Sequence, residues 1–370
     1  MNQPMLHTTS AKDLVLATAA LCGELSPQAA SRLVPSQSYR YHVLEDLVKS
    51  KLLRPYRRDK VKGYRLTRRA KNRLTEQSPD RYAALFSGSV RTNGYASELP
   101  RRLRMHRLGE ILAIMMLCGV RVFRDEKADL FGTRTQPQNS QLPAFYLARE
   151  VQALGDAAIK IKNARMTGVL LAPQRFYLVY NTGSALMRWA PASELRTRTL
   201  LSEFIGRRMA IPSYAGRTAE AILVGDSMEL APALLQSRGG GRRQLFYLDG
   251  TFAQMHYLPN TPQGDALLRL LMGSAAQSAL HAALLDTLQP KAQPGNFAFD
   301  ALDEQGHPVL FAWDFDLVRI QSFALGLGSR GLSGTVIAFD FQADALRRIF
   351  GNRVDVRALS FEKTRRLLEI

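Results

Sequence analysis

Apolar residues recur at helical spacing three times in the first fifty or so positions. Leu14, Ala17 and Leu21 form an i, i+3, i+7 stripe, which predicts a helix over Ala11–Cys22, capped by Ser10 and ended by Gly23. Ser26 and Pro27 open a short second helix, SPQAASRLV, with proline at the first helical position where its missing N–H costs nothing. Val34-Pro35 stops it, because proline disfavours the helical conformation in the residue before it. Ser36 opens a third helix, with Tyr39, Val43, Leu47 and Leu53 near helical spacing, expected to run to Leu53. The period then shortens. LLRPYRRDKVKGYRLT reads as two short strands around a basic turn, and RRAKNRL returns to a helix.

Residues 77–100 carry Pro, Gly, Ser and Asn without a long stripe and read as a linker. A helix is expected over 101–118, with Leu103, Leu108, Ile111, Leu112, Met115 and Met116 behind a basic RRLRMHR, and a loop over 125–143. From 144 onward strand-like runs (FYLAREVQAL, RMTGVLLA, RFYLVYN, AEAILVGD, RQLFYLDG, QMHYLPN) alternate with helical ones (SELRTRTLLSEFIGRRM, SMELAPALLQSR, GDALLRLLMGSAAQSALHAALL). FAFDAL and HPVLFAWDFDLVRI read as a hairpin around Asp303–Gly306, and the end reads strand, helix, strand, helix. The expected class is α/β and multi-domain. Residues 10–76 form a first domain, 77–100 a linker and 101–370 a mixed α/β region with room for an internal boundary near 210–220.

Charge sharpens this picture. The chain of 370 residues is 46% hydrophobic and 22% charged, a globular composition, with net charge +18 and a pI near 10.2. Between Lys49 and Arg73 the cations are Lys49, Lys51, Arg54, Arg57, Arg58, Lys60, Lys62, Arg65, Arg68, Arg69, Lys71 and Arg73, and Asp59 is the only acid. Such a field attracts a polyanion and holds it by neutralising phosphates and releasing their counterions. Double-stranded DNA is the expected partner, and a protein-interaction module whose basic surface contacts an acidic protein is an alternative. A solvated charged hairpin is the plainer alternative for the turn residues.

Two short helices followed by a capped third have helix-turn-helix spacing, in which the third helix enters the major groove. Its first residues, Gln37, Ser38, Tyr39, Arg40 and His42 or Tyr41, are the candidates to reach base edges. Arg40 suits guanine and Gln37 adenine, while Tyr39 is equally eligible for the core. Arg57, Arg58, Lys60 and Lys62 at the turn, with Arg65 and Arg68 beyond it, are candidate phosphate contacts. The stretch HVLEDLVKSKLLRPYRRDKVKGYRLTRRAKNRL resembles the end of many bacterial winged helix-turn-helix regulators, with the closing signature at Tyr64, Leu66, Thr67 and Leu74. Such regulators usually have Gly where Ala70 or Lys71 stands. The likeness covers about residues 10–76 and implies duplex-DNA binding, commonly as a homodimer. The element order of 101–225 is similar to the core of restriction-endonuclease-like domains. Joined to a winged helix, it resembles the replication-relaxation proteins of plasmids and integrative elements, which implies a role in replication, transfer or regulation of a mobile element. Those families place acids on adjacent strands followed by Lys. Here Glu150 precedes Lys160 and Lys162, and RMTGVLLA and RFYLVYN carry no acid.

Catalytic chemistry is thinly represented. A metal-dependent nuclease or relaxase-like DNA-processing enzyme is the alternative function; a nuclease needs converging carboxylates, and the candidates are Asp314 and Asp316, placed on one face by strand spacing, with Glu150 and Lys160 or Lys162. An exposed, ion-paired face beside Arg319 is the commoner reading of such a pair. No cofactor and no metal are expected. The six histidines are scattered, neither Cys22 nor Cys118 has a neighbour at ligand spacing, and G-x-x-x-x-G-K-[ST] is absent. Gly326-Leu-Gly-Ser-Arg-Gly331 matches G-x-G-x-x-G but leads into GTVIAFDF, so a hairpin loop is expected. The α/β region is left to assembly or to a protein partner. Lys12 and Asp13 interrupt the apolar N-terminal stretch, and the longest apolar run, ILAIMMLCGV, is about half a membrane span. A cytoplasmic protein with buried thiols and no membrane partner is expected.

Overall fold

The computed structural model describes residues 10–87, 98–131, 142–151, 153–154, 159–160, 164–209, 214–239, 244–286, 288–290 and 297–369. The chain is mixed α/β and divides into two compact units, residues 1–146 and 147–370.

The first unit opens with three helices, Ala11–Cys22 (α1), Pro27–Leu33 (α2) and Gln37–Lys49 (α3). Each is capped by the hydroxyl that the sequence places there: Ser10 accepts from Asp13 N, Ser26 from Ala29 N and Ser36 from Tyr39 N. The third helix ends four residues short of Leu53. Lys51 adopts φ +57°, which turns the chain, so Leu52 and Leu53 fill the core from the strand that follows rather than from the helix. That strand, Leu53–Arg58 (β1), pairs antiparallel with Val61–Leu66 (β2). Thr67 then caps Arg68–Gln77 (α4). Residues 79–86, expected to be irregular, form a helix, Pro79–Phe86 (α5). Proline sits at its first position, Tyr82 is buried against Phe86 and Phe123, and Arg81 bonds both Asp125 and Glu126. Residues 88–97 of the expected linker lie outside the described residues. Leu99–Leu117 (α6) packs on α1 and α2 inside the first unit. Cys22 and Cys118 are both buried thiols.

The strand Ala144–Leu147 (β3) closes the first unit and begins the second, followed by the short helix Ala148–Val151 (α7) and the strands Ala153–Leu154 (β4) and Ile159–Lys160 (β5). One sheet of the second unit carries Gly168–Leu171 (β6), Phe176–Gly183 (β7), Glu220–Gly225 (β8) and Met255–Pro259 (β9) in that order, the last three parallel. Pro191–Arg208 (α8) and Ala231–Gln236 (α9) make the crossovers, and Pro262–Met272 (α10) and Ser274–Leu285 (α11) follow β9. The other sheet runs Gln289–Pro290 (β10), Ala301–Leu302 (β11), Pro308–Phe311 (β12), Gly334–Phe339 (β13) and Val354–Leu359 (β14), with β12, β13 and β14 parallel. Leu317–Arg330 (α12) and Asp340–Phe350 (α13) connect those strands, and Phe361–Leu368 (α14) follows the last. β7 and β13 are buried at every position, as expected where crossover helices cover both faces of a parallel sheet.

Four expectations change here. FYLAREVQAL is a strand to Leu147 and then continues as the helix Ala148–Val151. RQLFYLDG makes only isolated bridges, at Leu245 and Tyr247. The end of HPVLFAWDFDLVRI leaves the hairpin after Phe311, turns at Phe315 (φ +46°) and becomes α12. GLGSRG is no loop but the last turns of α12. Gly331 supplies the left-handed cap, and Gly326 is required because a Cβ there would lie 2.2 Å from the Phe297 ring.

The two sheets of the second unit are joined at His256 on β9. It makes an antiparallel bridge with Asp316, and Tyr257 N donates to Phe315 O at 3.1 Å. The imidazole is 1% exposed. Its Nδ1 lies 3.2 Å from Asp314 O and 3.5 Å from the Asp314 carboxylate, and its Nε2 lies 3.6 Å from Glu220. Burial pulls its pKa down, but the carboxylates of Glu220, Asp314 and Asp316 more than offset that and hold it up at about 9. His256 is therefore a buried cation at neutral pH. A raised native pKa stabilises fully below the ordinary value and loses its effect as pH rises through the native one. Thermal unfolding of the second unit should accordingly show a Tm that falls between pH 6.5 and about 9. His256→Gln should flatten that profile, and a wild-type Tm constant over this range would refute the assignment.

Candidate functional site

The β1–β2 hairpin concentrates positive charge at its far end. Its two-residue turn, Asp59-Lys60, has φ +52° and +60°, the geometry that matches strand twist in short hairpins. Arg54, Arg57, Arg58, Lys60 and Lys62 are all exposed. Arg57 stands directly opposite Lys62 in the ladder, an arrangement that costs stability where like charges face each other. Asp59 sits 3.6 Å from Arg58, and Arg57 and Lys60 make no ion pair among the described residues. The other face of the hairpin is buried: Tyr64 and Leu66 are core, and Tyr64 exchanges backbone bonds with Leu25 at 2.9 Å.

A buried carboxylate holds this hairpin from behind. Glu24, 0% exposed, accepts from Arg65 Nε at 2.7 Å, from Arg102 Nη2 at 2.6 Å and contacts His106 Nε2 at 2.8 Å. Arg102, on α6, also donates to the carbonyls of Arg58 at 2.6 Å and Val61 at 3.0 Å, one on each strand beside the turn. The Tyr56 ring receives both guanidinium groups, Arg65 at 3.6 Å and Arg102 at 4.6 Å from its centroid. Gly63 makes room for the acid, since a Cβ there would lie 2.3 Å from Glu24 Oε1. Burial pushes the Glu24 carboxyl up, and the bonds from His106, Arg102 and Arg65 outweigh it and bring it down to about 2. The expectation that Arg65 contacts phosphate is corrected here: its guanidinium, 1% exposed, is committed to Glu24 and cannot reach a ligand. Arg68 is exposed at the start of α4.

Along α3 only Val43 and Leu47 are fully buried. Gln37, Ser38, Tyr39, Tyr41 and His42 all face outward. Tyr39 is 54% and Tyr41 63% exposed, so neither tyrosine belongs to the core. Tyr41 meets His42 edge-on at 5.8 Å. Arg40 bends back instead, with Nη1 donating to the carbonyls of Val34 at 2.9 Å and Pro35 at 3.1 Å, which fastens the α2–α3 turn. Gln37, Ser38, Arg40, Tyr41 and Leu44 line a shallow open hollow on this helix.

The catalytic candidates do not converge. Asp316 is the cap of α12, accepting from Val318 N at 3.0 Å and from Met255 N at 3.1 Å. Asp314 faces His256. Both are buried in a turn, neither on a strand nor on an exposed face. Arg319 pairs with Asp300 at 2.5 Å. Glu150 accepts from Leu147 N at 2.7 Å, closing the first turn of α7. Lys160 lies on β5, and Lys162 is outside the described residues. Among the described residues no three His, Cys, Asp or Glu side chains are grouped as a metal ion would need, and no helix is long and apolar enough to cross a membrane. Comparison of the chain with protein-family models, curated proteins and solved structures finds no match to any of them.

The residues that organise the site, Glu24, Arg102 and His106, carry no local signal, because the bonded pairs are 41, 78 and 82 positions apart. The only hint is a lone acid, Glu24, between two short helices and a basic segment at the head of an otherwise apolar helix. Removing one partner of a buried pair typically costs about 3–5 kcal/mol, so Arg102→Ala should destabilise the first unit by about that much. In hydrogen exchange it should also speed the amides of residues 53–66 ahead of those of α1. For Glu24 the depressed pKa gives stability present above its ordinary 4.5 and lost as pH falls through about 2. Glu24→Gln should remove that part of the acid-unfolding profile, and an unchanged profile would show that the carboxylate contributes nothing.

Proposed function

We propose that the chain is a DNA-binding protein. In this reading residues 10–76 act as a winged helix-turn-helix: α3 enters the major groove, the β1–β2 hairpin is the wing that grips the backbone, and the second unit serves assembly or a protein partner. Binding as a homodimer to paired half-sites, in the replication, transfer or regulation of a mobile element, belongs to the same proposal.

One observation carries it. An outward-facing helix stands in sequence immediately before a hairpin whose cations oppose one another and whose position is fixed by Arg102. Like charges across a ladder are unfavourable in the free protein, and Lys60 holds a left-handed conformation at a cost on the order of 1 kcal/mol. The repulsion is offset when phosphates lie against the hairpin.

The test is selection from random-sequence duplexes by the full chain at about physiological salt, followed by sequencing. An enriched motif is expected, and a palindrome would establish the dimer. Retention without enrichment would reduce the site to a non-specific clamp, and no retention would overturn the proposal. Arg57→Ala and Lys60→Ala should each weaken every sequence by a similar factor. Each should also reduce the magnitude of the slope of log K against log salt by about 0.9. An unchanged slope in both would remove the wing from the interface.

A further inference from the structure

The helix assigned to the groove carries little positive charge. Arg40 and Lys49 are its only strong cations. Arg40 is engaged with the Val34 and Pro35 carbonyls, and Lys49, at the last position, pairs with Glu45 at 3.0 Å. With Nη1 so bonded, only Nε and Nη2 of Arg40 remain for the N7 and O6 of guanine, the commonest specific contact in the major groove. Gln37, Tyr41 and Leu44, at i, i+4 and i+7, share one face instead. Gln37 carries an amide that pairs with the N6 and N7 of adenine. Tyr41 exposes an apolar ring, and the C5-methyl of thymine is the one apolar group that the major-groove edge displays.

We infer that α3 reads A·T base pairs, Gln37 by bonding an adenine and Tyr41, backed by Leu44, by packing on a thymine methyl. The inference rests on the proposed DNA-binding function and makes Tyr41 a specificity-determining residue. Gln37 and Tyr41 are separated by about 6 Å along the helix axis and base pairs by about 3.4 Å. The two contacts consequently fall on base pairs one to two steps apart.

The experiment uses the full chain and the site recovered by selection. Thymines in that site are replaced one at a time by deoxyuridine, which keeps the pairing and removes only the methyl. One replacement should weaken wild type by about five-fold or more and leave Tyr41→Ala indifferent. Tyr41→Phe, which keeps the ring, should respond as wild type does. Gln37→Ala should relax the requirement for adenine at a neighbouring position. A guanine-centred motif that Arg40→Ala relaxes, or a deoxyuridine series without effect on wild type, would overturn the assignment while leaving DNA binding intact. Retention of no duplex would overturn this assignment and the reading beneath it together. Tyr41 and Gln37 are exposed, so the variants test recognition rather than folding.

Discussion

The first unit depends on one carboxylate that water cannot reach. Glu24 is fully buried among two guanidinium groups and an imidazole, and it makes that concentration of positive charge tolerable inside a small fold. Without it, Arg65 and Arg102 would each be an uncompensated buried cation, which is among the most costly arrangements a protein interior can hold. With it, Arg102 has donors left for the hairpin carbonyls. The exposed cations of the hairpin and the buried ones behind it are therefore separate populations, although they are interleaved along the chain.

The second unit inverts this arrangement. His256 is a buried cation among carboxylates, where Glu24 is a buried anion among cations. Both sit where elements distant in sequence have to be fastened: α6 to the hairpin in one unit, one sheet to the other in the second. Apolar burial supplies most of the favourable free energy of folding but little direction. Bonds of fixed geometry select which edge meets which.

Much of the local architecture is legible in the sequence because it rests on short-range chemistry. Ser10, Ser26, Ser36 and Thr67 cap the helices they precede, and Pro27 opens α2. What escapes a reading of the sequence depends on contacts or on backbone conformation. Lys51, with its positive φ, ends α3 early at a residue type that usually avoids that conformation. DFDLVRI has the alternating pattern of a strand, yet Asp316 caps a helix there because β9 supplies it with a second donor, Met255 N. Arg65 looks like every other cation of its segment, and only the distant Glu24 and Tyr56 distinguish it. The exposed face of α3 is evident in the sequence as a set of candidates, but the inward turn of Arg40 is not, because its acceptors are backbone carbonyls and any sequence provides those.

Arg102 grips main-chain oxygens of Arg58 and Val61, not their side chains. The anchor is accordingly blind to what the tip displays. Outside the left-handed turn at Asp59 and Lys60, the side chains of residues 57–62 can be exchanged while the hairpin keeps its place. Scaffold and exposed charge share this short segment but are encoded in different atoms, so the charge can be retuned without renegotiating the fold.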